Sequence, residues 1–150
     1  MIACGVAWAA NPHFVGRVTA ELLDNNDLQV CWKEAGLGNN QLIEYEASAN
    51  ATATFHCVNN GGQCPNAANK QDVSGPVSAT GAFASGKNGQ ITQCLTIDAA
   101  QLTPDDFCPS GQTETLTDIS YTNIQITDLT NNVTKAATPS SLSATPFVCP

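Results

Sequence analysis

The chain predicts an all-β fold: an antiparallel β-sandwich of the immunoglobulin-like or Greek-key type, with about seven strands and disulfide staples. Three observations carry this. Residues 43–57 alternate almost without a break, Ile43, Tyr45, Ala47, Ala49, Ala51, Ala53, Phe55 and Cys57 on one side and Glu44, Glu46, Ser48, Asn50, Thr52, Thr54 and His56 on the other. A period of two places the first set on a core and the second in water. No stretch keeps helical periodicity. The seven cysteines include no CxxC pair, and His13 and His56 lie far apart, so zinc-site spacing is absent and disulfides are expected. An up-and-down barrel is the alternative closure of the same strands.

The elements follow in order. Residues 2–10 are a short apolar run in which Ala7 and Ala9 flank Trp8, ahead of Ala10-Asn11-Pro12. This resembles the processed end of a secretory signal and is too short to span a bilayer. It also reads as a first strand, so residues 1–12 are a signal remnant or an N-terminal arm, and residues 13–150 form one domain. Residues 13–23 alternate, with Phe14, Gly16, Val18, Ala20 and Leu22 inward. The turn Asp24-Asn25-Asn26-Asp27 returns the chain to Leu28, Val30 and Trp32, which is a hairpin signature. A glycine- and asparagine-rich loop over 35–40 precedes the long strand. An irregular stretch over 58–71 leads to a Ser/Ala/Gly strand over 73–85. Asn88-Gly89 supplies the positive φ of a tight hairpin before a strand over 90–97, with Ile91, Leu95 and Ile97 inward. After a long connection, residues 115–129 form a strand whose apolar phase slips between Tyr121 and Ile124, marking a β-bulge near Thr122-Asn123. From about residue 130 the chain reads as an extended tail held by Cys149.

Composition bounds the function. Charged residues make up only 12% of the chain and the net charge is −8. Arg17, Lys33, Lys70, Lys87 and Lys135 are scattered, so the basic stripe that a nucleic-acid binder needs is missing, and the same sign disfavours an anionic membrane. No membrane insertion and no cofactor are expected. Disulfides place the protein in an oxidising compartment, so it is expected to be secreted.

Side-chain phase suggests one bridge, and position along the chain the other two. Cys31 and Cys94 both lie opposite the inward faces of their strands, so Cys31–Cys94 is expected across neighbouring strands. Cys57 at the end of the long strand is paired with Cys108, and Cys64 with Cys149. Cys4 is then a free or intermolecular thiol, unless it leaves with the signal.

Trp32-Lys33-Glu34-Ala35-Gly36-Leu37-Gly38, Val73-Ser74-Gly75-Pro76-Val77-Ser78-Ala79, Ser85-Gly86-Lys87-Asn88-Gly89-Gln90-Ile91-Thr92 and Ser120-Tyr121-Thr122-Asn123 resemble segments of small secreted β-rich proteins of actinomycetes and filamentous fungi. The resemblance covers roughly residues 13–130. It implies a secreted microbial origin and carries over no catalytic residues, since that group has no established activity.

Candidate chemistry is sparse. A nucleophile would need a histidine and an orienting acid; His56 adjoins Cys57, but neighbouring strand residues face opposite ways. No GxSxG elbow is present. Glu44 and Glu46 share a face about 6–7 Å apart, as solvated strand carboxylates do. Asp24, Asp27, Asp105 and Asp106 are weak loop candidates for a hard cation, without EF-hand order. Asn50-Ala51-Thr52 and Asn132-Val133-Thr134 are sequons, so Asn50 and Asn132 are candidate glycosylation sites.

The expected protein is therefore non-enzymatic and extracellular, acting by surface recognition or as a structural component. One alternative is a subunit of a fibre or assembly formed by strand complementation, through self-association. Another is a carbohydrate-binding module or inhibitor with a protein or glycan partner. The inward phase of Trp32 opposes a tryptophan sugar platform.

Overall fold

The computed structural model describes residues 11–150; Cys4, Trp8 and most of the expected N-terminal arm lie outside that range. The described chain is all-β. Its strands are β1 (His13–Phe14), β2 (Val18–Leu22), β3 (Leu28–Ala35), β4 (Leu42–Asn59), β5 (Lys70–Ala84), β6 (Ile91–Ile97), β7 (Gln112–Asp128), β8 (Val133–Thr138) and β9 (Leu142–Ala144), with a 3-10 turn at Ala99–Gln101. Nine strands replace the expected seven or so. Residues 13–22 divide into β1 and β2 because Gly16 adopts φ 70° between them.

Two layers face each other. One is β6-β3-β2, with β1 continuing the β2 side of β3; the other is β5-β4-β7, with β9 on the free side of β7. β8 belongs to both. It runs antiparallel to β7 and parallel to β2, so the sheet is mixed, with this single parallel pairing among the described strands. The opposite side stays open: β5 pairs only with β4, and β6 only with β3. The molecule is thus a sandwich with one seam and not a closed barrel.

The long alternating segment is the centre of the second layer. β4 carries a strictly buried inward set from Ile43 to Cys57. Its neighbour β7 holds Ile119, Tyr121, Ile124 and Ile126 in the core by means of a bulge. Asn123 and Ile124 together oppose Ala49, and Asn123 takes φ 53°, a left-handed conformation that asparagine tolerates better than most residues. The phase slip in the sequence is this bulge. A second irregularity, at Thr117 between the pairs Thr54/Asp118 and Phe55/Leu116, has no apolar slip to announce it. Trp32, Tyr45 and Phe83 pack as an aromatic cluster between layers, with Trp32 and Tyr45 centroids 4.7 Å apart.

Two connections differ from expectation. Asn88-Gly89 does form a turn, with Gly89 at φ 70° donating its N–H to the Gly86 carbonyl. It does not make a hairpin: β5 and β6 pair with different partners, so the turn carries the chain from one layer to the other. The expected tail from residue 130 also contains β8 and β9, and β8 is the seam.

Three disulfides form: Cys31–Cys94, Cys57–Cys108 and Cys64–Cys149, the first suggested by phase and the other two by position along the chain. Cys31 and Cys94 stand directly opposite each other in the β3/β6 register, with Cα atoms 4.0 Å apart. Cys57–Cys108 ties β4 to the long connection before β7, and Cys64–Cys149 joins the irregular loop after β4 to the end of the described chain.

Candidate functional site

Two groups bring reactive side chains together, one partly buried and one fully buried. The first is His56 and Thr117. The bulge turns the Thr117 hydroxyl onto His56, 2.8 Å from Nδ1. That hydroxyl donates its proton to the Thr54 carbonyl at 3.1 Å. The histidine tautomer sets which of the two donates in the His56–Thr117 contact.

The second group was not anticipated from the sequence. Glu34 on β3 and Asp128 at the end of β7 are fully buried. The Tyr45 hydroxyl donates to Glu34 Oε1 at 2.6 Å, and Asp128 accepts from the Asn131 backbone N–H and Nδ2, both at 2.8 Å. Burial is the main force that pushes the Glu34 pKa up to about 8; the Tyr45 hydrogen bond opposes it, and neighbouring Asp128 reinforces it. Burial, with Glu34 beside it, also drives the Tyr45 phenol far above its ordinary value. The Glu34 carboxyl is shut off from solvent, so its protonation bears directly on stability. Strand parity was the available signal: Glu34 shares the phase of Val30 and Trp32, and Asp128 that of Ile124 and Ile126.

The weak cation candidates are bound up in local structure. Asp27 accepts from the Ala99 N–H at 2.8 Å and from Asn25 Nδ2 at 2.9 Å, while Asp105 accepts from Gln71 Nε2 at 2.8 Å. They lie in separate loops with Asp24 and Asp106, and no cluster of three or more potential ligands occurs among the described residues.

The outward face of the second layer is different in kind. β4, β5, β7 and β9 bring their polar residues into rows. Ser143, Ser120, Thr52 and Ser74 stand side by side across four strands, and Thr122, Asn50 and Pro76 form the next row. Rows recur about every 6.8 Å along a strand, and members of a row lie about 4.8 Å apart. Several side chains are already held. Thr52 and Ser74 hydroxyls meet at 3.1 Å, Thr54 donates to Asp72 at 2.7 Å, and Thr145 donates to Asp118 at 3.0 Å.

Three shallow depressions, of about 330, 420 and 230 Å³, follow one another across this face, from Glu46 and Gln125 past Thr122 and Ser143 to Asp118 and Thr145. No lysine, arginine or histidine lines any of them. Of the two sequons, Asn50 opens onto the first depression, and Asn132 lies exposed in the β7–β8 turn at φ 58°. Glu44 and Glu46 share the same outward phase of β4. A fourth, more apolar depression of about 330 Å³ lies apart, between Phe55, Leu116 and the loop at Leu102. Among the described residues no tryptophan, tyrosine or phenylalanine is exposed, and Trp32 is 2% accessible.

No protein-family model, curated protein or solved structure matches the chain.

Proposed function

We propose that this is a secreted, non-enzymatic extracellular protein that acts by surface recognition, through the outward polar face of β4, β5, β7 and β9. The observation that carries the reading is the side-by-side arrangement of short hydroxyl and amide side chains on that face, several pre-fixed by mutual hydrogen bonds. A face that is ordered before contact loses little conformational entropy on binding. Three disulfides support an oxidising location, and no described helix is long and apolar enough to cross a membrane.

The fibre reading draws less support. Its acceptor would be the long edge strand β5, and that edge is guarded. Gln101 occupies the outward N–H and carbonyl of Ser78 with its side-chain amide, at 3.1 and 2.8 Å. Pro76, of the same parity, offers no N–H at all.

The test is capture on an array of glycans and extracellular matrix proteins, comparing wild type with Thr52→Lys/Ser120→Lys. Recognition through this face requires that wild type is captured and the variant is not. Equal capture of both, or no capture of wild type, overturns it. Intact-mass analysis of native secreted material, with and without reduction, checks secretion, bridge count and sequon occupancy together.

A further inference from the structure

We infer that the polar face holds a single extended chain of a neutral polysaccharide; this deepens the surface-recognition reading and rests on it. The chemistry of the lining points first to an uncharged, hydroxyl-rich ligand. Ser48, Asn50, Thr122, Gln125, Ser120 and Ser143 present paired donors and acceptors, which sugar hydroxyls can satisfy in both senses. The depressions contain no cation for a sulfate, phosphate or uronate. Their carboxylates, Glu46 and Asp118, would repel such groups and accept from hydroxyls.

The shape points to a chain rather than a single sugar. The depressions are shallow and consecutive. From Glu46 to Thr54 on β4 the face runs about 27 Å at the usual strand rise, well beyond one ring. A protein partner fits less well, because the face lacks the buried aromatic or arginine anchors from which protein interfaces draw most of their energy. With no exposed aromatic ring to stack on a sugar, each subsite must bind weakly by hydrogen bonds alone. Affinity should therefore build up with the number of subsites filled.

The experiment uses the disulfide-bonded protein from a bacterial periplasm, where Asn50 stays unmodified. Affinity electrophoresis in gels containing hydroxyethyl cellulose, galactomannan or dextran is paired with calorimetry on the disaccharide and hexasaccharide of whichever polymer retards the protein. Alginate serves as the anionic comparison. The expected result is retardation by at least one neutral polymer, none by alginate, and at least tenfold tighter binding of the hexasaccharide than of the disaccharide. Asn50→Ala/Thr122→Ala/Gln125→Ala should weaken binding at least tenfold, while Thr92→Ala/Thr96→Ala on exposed β6 should leave it unchanged. No retardation by any neutral polymer, equal affinity for both lengths, or binding indifferent to the triple substitution would overturn the inference. If the glycans fail while a matrix protein is still captured and Thr52→Lys/Ser120→Lys abolishes that capture, only the polysaccharide assignment falls. Capture indifferent to Thr52→Lys/Ser120→Lys removes both.

Discussion

Glu34 shows how one side chain can set the conditions a fold prefers. In the unfolded chain a glutamate ionises near pH 4.5, while in the folded protein burial keeps its proton until about pH 8. The folded state therefore binds more protons than the unfolded state between these values, and stability must fall as pH rises through that window. Below about 4.5 the contribution is fully present; above about 8 it is gone. The loss is on the order of a few kcal/mol, since each tenfold change in proton affinity is worth about 1.4 kcal/mol. Urea unfolding at pH 4.5, 6 and 8 should show this decline in wild type. Glu34→Gln, which still accepts from the Tyr45 hydroxyl, should flatten the profile and be the more stable protein at pH 8. The pair was legible in position and not in chemistry. Parity places Glu34 and Asp128 inward, but no sequence rule says that two acids from distant strands will share one interior. Only the fold, which brings β3 over β4 and β7, reveals that.

At the level of elements, local pattern and long-range pairing part company. β4, the β2–β3 hairpin and the bulge at Asn123 could all be read from residue order, because alternation and turn chemistry are local. The role of Asn88-Gly89 could not, because it makes the same tight turn whether the chain folds back on itself or crosses between layers; only the cysteines pointed to β3 as the partner of β6. The Cys31–Cys94 bridge was legible because both sulfurs sit out of phase with their strands. It closes a sequence separation of 63 residues, and chain entropy alone assigns it about 4 kcal/mol. Cys31→Ala/Cys94→Ala should lower the unfolding free energy by roughly 2–4 kcal/mol in denaturant titration, with the other two bridges confirmed by peptide mapping. The β5 edge offers a separate prediction. Pro76→Thr restores an outward N–H on a long, weakly charged strand, and light scattering should detect self-association at concentrations where wild type remains dispersed.

Taken as a whole, the molecule depends on its seam. Ala137 on β8 is 4% exposed, stands against Val18 in the parallel pairing, and belongs to the shared core. Ala137→Asp places an unpaired carboxylate there and should cost several kcal/mol, seen as a lowered midpoint in thermal and denaturant unfolding. The same change at exposed Ala136 should be nearly silent. The outward face was half legible: alternation assigned its members on β4, while their union with β7 and β9 depended on two irregularities and a strand hidden in an apparent tail.

β8 also imposes an order of events. It is made after every strand it joins, so a growing chain can pair β2 with β3 and β4 with β5 but cannot fasten the halves until Val133–Thr138 has emerged. A polypeptide that stops short of Val133 would therefore lack the strand that joins its two layers, however well its separate hairpins form.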